Sequence, residues 1–265
     1  MRFDAAPQGA STGGASYAEH SNRKGPIVTE SISSIAKMID HSLLHPTMTD
    51  LELQDGCEVA LRCDVASVCI KPYAVALANE MLAGSDVMVG TVVGFPHGNS
   101  RVDLKVREAE LAMADGAKEL DVVANVGKVL SADWNFVAEE IREVNDVVVS
   151  GGGILKVIFE NDFLTGDVLK ERLCSICSEH GVAFVKTSTG YGFVKQPDGS
   201  YTYAGATDHD LALMRRASAD SVRIKAAGGV RTLDDVLRVR ALGVTRVGAT
   251  ATEAILEEAK NRGYQ

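Results

Sequence analysis

The sequence predicts an α/β protein, a single (β/α)8 TIM barrel, on three observations. Short β-branched runs alternate with amphipathic helical patterns from about Val28 to the C-terminus. Eight such runs occur, each separated from the next by enough chain for a parallel crossover. Glycines gather at the ends of the last three, where a barrel builds its binding face. The length of 265 residues fits one barrel, which typically takes about 250. An open doubly wound sheet would carry a glycine-rich turn after its first strand, and here that turn reads HSLLHPTMTD.

The predicted strands lie near 38–44, 67–72, 87–96, 119–127, 154–162, 182–190, 221–230 and 245–251. Between them, DLKVREAELAMADGA sets a helical period through Leu104, Glu108, Leu111 and Ala112. TLDDVLRVRALG opens on Thr232 as N-cap and stops at Gly243. After the sixth strand the spacing is broken by FVKQPDGSYTYAGA. Its Pro197-Asp198-Gly199 turn, flanked by Phe193, Val194, Tyr201 and Tyr203, predicts an inserted hairpin at the mouth, ahead of a helix capped by Thr207. That hairpin can be a decorative insertion or subunit contact, or a lid that shapes the substrate. Residues 1–25 hold almost no bulky apolar side chains and predict a mobile tail, leaving 26–265 as the barrel domain.

Composition narrows the function. With 46% apolar and 24% charged residues the chain can build a sizeable core, and a net charge of −9 argues against a nucleic-acid or anionic-membrane surface. No apolar run is long enough for a membrane span, and the N-terminus lacks the apolar centre of a secretory signal, so the expectation is a cytoplasmic protein. Cys57, Cys63, Cys69, Cys174 and Cys177 are an odd set embedded in helix and strand patterns and read as free thiols. The CxxC of Cys174 and Cys177 has no second half, so it reads as a helical stripe, with no metal expected.

The chemistry is suggested by buried lysines, since a lysine charge is costly inside a barrel. Lys156, Lys186 and Lys225 lie in three successive apolar strands. If all point inward they share one cavity, disfavour one another's charge and leave at least one amine neutral enough to be a nucleophile. The alternative is that they pair with carboxylates such as Asp121 or Glu160 and merely fill the barrel. Asp121, in the fourth strand, can reach these lysines and shuttle protons; Asp40, in the first, can bind a substrate hydroxyl or act as a structural acceptor. The last three strands end in TSTG (with Thr187, Thr189 and Gly190), AAGG (with Gly228 and Gly229) and VGATAT (with Gly248 and Thr250). Together these endings predict a phosphate site built on backbone N–H groups.

On these residues the sequence resembles the 2-deoxyribose-5-phosphate aldolase family. IDHSLL, SVCIKP, TVVGFPHG, ELDVVANVG, LKVIFE, FVKTSTGYG, IKAAGGVRT and RVGAT follow the family's order and spacing from about Ile35 to Thr250, apart from the inserted hairpin. The resemblance implies a class I aldolase, free of metal and cofactor, that reversibly cleaves 2-deoxy-D-ribose 5-phosphate to acetaldehyde and D-glyceraldehyde 3-phosphate in deoxyribonucleoside catabolism. It implies that Lys186 in KTSTG forms the Schiff base, Lys225 in KAAGG tunes it and Asp121 in LDVV moves protons. Lys156 is implied as support, Cys69 and Asp40 as pocket lining, and a homodimer or homotetramer as the assembly. Two further readings stay open: the same chemistry on another phosphorylated or longer hydroxy-aldehyde, and a silent barrel that binds a sugar phosphate. The chain departs from the family pattern at Thr250, where serine is common, at His45, where lysine is frequent, and in the hairpin. Tyr264 reads as a disordered surface end, with reach to the mouth as the alternative.

Overall fold

The computed structural model describes residues 31–265, so the expected tail over 1–25 lies outside the described residues. Eight parallel strands close into a barrel: β1 (Ile39–Leu43), β2 (Ser67–Ile70), β3 (Met88–Val93), β4 (Glu119–Val123), β5 (Ile154–Ile158), β6 (Phe184–Lys186), β9 (Arg223–Ala227) and β10 (Val244–Ala249). The two remaining strands, β7 (Val194–Lys195) and β8 (Tyr201–Thr202), form the expected antiparallel hairpin between β6 and the helix Asp208–Ala217. The circular order is β1-β10-β9-β6-β5-β4-β3-β2, so β1 and β10 close the ring.

Strand side chains alternate between two faces. The outward set, including Val68, Ile70, Leu120, Val122, Leu155, Val157, Ile224 and Val247, is fully or almost fully buried beneath the helices and forms the apolar core. The inward set is different. It carries Asp40, Glu119, Asp121, Lys156, Lys186 and Lys225, all 3% exposed or less, where barrels usually stack branched apolar residues.

Helix ends follow local chemistry. Thr232 accepts from the Asp235 backbone N–H while Asp235 answers with its carboxylate, a capping box that starts the helix Leu233–Ala241. That helix ends before Gly243, whose φ of +88° suits glycine. Thr207 caps the helix Asp208–Ala217 by accepting from the Asp210 backbone N–H. The helix Val102–Ala114 forms where the period predicted it; Leu104 and Leu111 are 58% and 48% exposed, and the buried face is Lys105, Ala109 and Ala112. The reason is a buried ion pair. Lys105 reaches Glu140 at 2.6 Å and donates to the carbonyls of Gly98 and Val123, which turns the helix toward its charged residue.

Cys174 and Cys177 are buried on the helix Asp167–Glu179, and burial raises both thiols above their ordinary pKa, as a helical stripe requires. Tyr264 is partly buried against the core, and Gln265 accepts from the Ile32 backbone N–H just ahead of β1. The chain therefore ends at the barrel face opposite the mouth, which corrects both readings of Tyr264. Among the described residues no helix is long and apolar enough to cross a membrane.

Candidate active site

Strand register brings the charged residues to neighbouring rungs. Asp121 pairs with Lys156 across β4 and β5, and Lys186 with Lys225 across β6 and β9. Because all four point into the ring, Asp121 becomes the hub. Its Oδ1 accepts from Lys156 Nζ at 2.8 Å, and its Oδ2 accepts from Lys186 Nζ at 2.8 Å and Lys225 Nζ at 2.7 Å. The sequence reading thus placed three lysines and one carboxylate in a common space, and the structure brings them into contact.

A second layer lies beneath. Asp40 Oδ1 accepts from Ser67 Oγ at 2.6 Å and from Arg246 Nη1 at 2.5 Å. Its Oδ2 sits 2.5 Å from Lys225 Nζ, a charge contact off hydrogen-bonding geometry. Glu119 contacts Lys156 Nζ at 2.7 Å and receives two bonds from Arg246, at 2.8 and 3.2 Å. Phe184 closes the floor, with the guanidinium of Arg246 5.4 Å from its ring centre. Sequence reasoning missed Glu119, Arg246 and Ser67, although each precedes an inward residue of its own strand by two and therefore shares its face.

Electrostatics separate the three amines. Burial is the largest influence on Lys186 and disfavours its charge; Asp121 opposes this, Lys225 reinforces it, and the pKa falls below the ordinary lysine value. Burial also acts against Lys156 and Lys225, but there Asp121 and Asp40, joined at Lys156 by Glu119, outweigh it and hold both above that value. The two carboxyls are themselves buried, which favours their neutral form, yet the surrounding cations keep both well below the ordinary aspartate range. Lys186 is therefore the amine best able to lose its proton.

Above the charges opens a cavity of about 620 Å³. Lys186, Lys225, Asp40 and Cys69 reach its floor, and burial raises the Cys69 thiol pKa. Its rim is the three predicted strand endings: Thr189 and Gly190, Gly228 and Gly229, and Gly248 with Thr250. Gly190, Gly228 and Gly229 have φ of +94°, +87° and +84°, conformations that favour glycine and let the backbone approach a ligand. Thr187 does not join them. It is wholly buried, and its hydroxyl exchanges 3.0 Å hydrogen bonds with the Ala227 carbonyl and N–H, tying β6 to β9.

Glu160 does not pair with the lysines either. Its backbone is left-handed, at φ 59°, and its carboxylate accepts from both the N–H and the hydroxyl of Thr189, which fixes the TSTG loop. Burial raises its pKa. The rim also holds His45, Tyr191, Phe193 and Arg231, of which His45 and Phe193 had drawn notice from sequence. The hairpin base is stitched to the AAGG loop: Ala206 N–H donates to the Gly228 carbonyl at 3.0 Å, and Tyr203 packs against Gly228. Asp162 accepts from the backbone N–H groups of Ala204 and Gly205.

A closed barrel with one lysine of lowered pKa at the floor of a glycine-rimmed cavity has the parts of an aldolase that works through a lysine imine. Residues 34–251 match the model of the DeoC/LacD family of aldolases. A deoxyribose-phosphate aldolase of Rhodopirellula baltica is 48% identical over 228 residues, covering 86% of this chain and 90% of that one. One from Caldanaerobacter subterraneus is 43% identical over 88% of this chain and 97% of its own. The tetrameric deoxyribose phosphate aldolase of Aeropyrum pernix superposes with a TM-score of 0.77 at 25% identity, covering 88% and 93% of the two chains. The chain belongs to the DeoC/LacD aldolase family.

Proposed function

We propose that this chain is a lyase that reversibly cleaves 2-deoxy-D-ribose 5-phosphate to acetaldehyde and D-glyceraldehyde 3-phosphate, with Lys186 as the Schiff-base residue. The observation that carries the assignment to Lys186 is its place: it is the lysine whose charge is disfavoured, and it reaches the floor of the cavity.

In this reading, the neutral Nζ of Lys186 attacks C1 of the open-chain sugar, and loss of water gives an iminium. Deprotonation of the C3 hydroxyl breaks the C2–C3 bond, whose electron pair flows to the iminium nitrogen and leaves an enamine. Glyceraldehyde 3-phosphate departs. The enamine is protonated at C2, and water hydrolyses the imine to release acetaldehyde and the free lysine. Asp121, 2.8 Å from Lys186, and Lys225 move the protons, directly or through a water. The substrate phosphate rests on the backbone of Gly190, Gly228, Gly229 and Gly248, with the Thr250 hydroxyl and Arg231 at the same rim. Asp40 and Cys69 bound the sugar chain, and Lys156 holds Asp121 in position.

Like the tetrameric relative from Aeropyrum pernix, the chain is proposed to work as a homo-oligomer, and its place of work is proposed to be the cytoplasm. Phe193, which brings an aromatic ring from the hairpin to the cavity rim, favours a second reading in which longer hydroxy-aldehydes are also accepted.

The test is borohydride trapping with acetaldehyde, followed by peptide mass analysis. A two-carbon adduct on the peptide containing Lys186, lost in Lys186→Ala, is the expected result. Intact protein that stays unlabelled would end the proposal. Turnover of a series of aldehydes separates the two substrate readings.

A further inference from the structure

The charged groups that face the cavity floor are arranged in alternating sign along the strands. Arg246 on β10 lies farthest from the mouth, its side chain 11% exposed, and contacts Asp40 on β1 and Glu119 on β4. Those carboxylates contact Lys225 on β9 and Lys156 on β5. Both lysines meet Asp121, which meets Lys186. Three cations therefore face three anions, and Lys186 is left over. With Lys186 neutral the buried cluster carries no net charge; with Lys186 protonated it carries one uncompensated positive charge on a side chain only 3% exposed, which is costly.

Other groups nearby do not alter this count. Cys69 on β2 is a neutral thiol, raised by burial. Glu160, beyond the end of β5, is raised by burial and engaged with Thr189. Arg223 on β9 lies over Phe184 at the exposed start of its strand, where it feels both Arg246 and Glu119; partly screened by water, it is the same in every variant and so offsets all of them alike. β3 contributes no titratable side chain.

We propose that Arg246 is a positioning residue for catalysis: by balancing Asp40 and Glu119 at the barrel floor, it keeps Lys186 a neutral nucleophile although the two side chains do not touch. The proposal rests on the reading of Lys186 as the imine-forming residue. Removing Arg246 leaves the other five charges with a net negative value, which favours a proton on Lys186. Removing Glu119 leaves a net positive value and disfavours it. Removing both restores neutrality.

The experiment is the pH dependence of acetaldehyde–borohydride trapping on Lys186 in wild type, Arg246→Gln, Glu119→Gln and the double variant, each checked for its fold by circular dichroism. Arg246→Gln is expected to move the trapping midpoint up by about one pH unit and to slow trapping about tenfold at neutral pH. Glu119→Gln is expected to move it down, and the double variant and Arg246→Lys to bring it back toward wild type. A purely structural role for Arg246 would lower melting temperature in every variant without these opposite displacements. If Arg246→Gln does not fold, the direction of the Glu119→Gln displacement decides alone. Superimposable pH profiles in the folded variants overturn the proposal. Failure of wild-type protein to trap at all would instead refute the assignment of Lys186, a distinct outcome.

Discussion

Lys225 sits 2.7 Å from the carboxylate that also holds Lys186, and its positive charge helps to lower the Lys186 pKa. Lys225→Leu is therefore expected to raise the Lys186 pKa and slow imine trapping near pH 7 by about tenfold, with recovery at higher pH. An unchanged pH–rate profile would remove Lys225 from that role. Asp121→Asn takes an anion from among three lysines, so trapping should persist while turnover falls by about 10²–10⁴-fold, the range for loss of an acid–base group; single-turnover trapping beside steady-state kinetics separates the two. At this scale much was legible, because a lysine or aspartate amid β-branched residues is conspicuous. Glu119 and Arg246 escaped notice since a charge at the first turn of a strand reads as a solvent-facing end, although the same period of two that turns Asp121 inward carries Glu119 with it.

The eight strands and the hairpin could be read from local pattern, but their ends could not. The predicted sixth strand ran to Gly190, whereas the ladder stops at Lys186, because Thr187 and Thr189 spend their hydroxyls on Ala227 and Glu160. The helix Val102–Ala114 was legible from its period, but its buried face was not, since nothing local announces that Lys105 will find Glu140 from 35 residues away. Replacing Lys105 with Met should destabilise the protein by about 3–5 kcal/mol, as it strands a buried carboxylate; urea unfolding would check this, and a smaller loss would mean that Glu140 is simply protonated. In the AAGG loop, Gly228→Ala would place a methyl against Tyr203 at a φ of +87°. It should raise KM for a phosphorylated substrate at least about tenfold with a smaller effect on kcat, through about 1–3 kcal/mol of strain. Equal effects on phosphorylated and unphosphorylated aldehydes would show that this loop does not read the phosphate.

Across the whole molecule, alternation of βα units was sufficient to predict closure, because eight parallel strands with short returns have few other ways to bury both faces. The inverted interior, apolar outside the ring and charged within, has a consequence in acid. Asp40 and Asp121 titrate below their ordinary value of 3.8 in the folded protein, so the unfolded chain binds protons first as pH falls. Their stabilisation is complete above about pH 5 and is lost progressively below about pH 4. Melting temperature should accordingly hold from neutral pH to about 5 and then fall, with a gentler acid slope in Asp121→Asn; identical slopes would mean that other carboxylates set the acid limit. The ribbon that begins at Phe193 and doubles back through Tyr203 differs in kind from this scaffold. Its tip is exposed, while its root is anchored to a loop of the cradle. Grafting shorter or longer ribbons between those same anchor points would thus retune which aldehydes are admitted while the buried machinery is left alone, making this segment the natural handle for redesign.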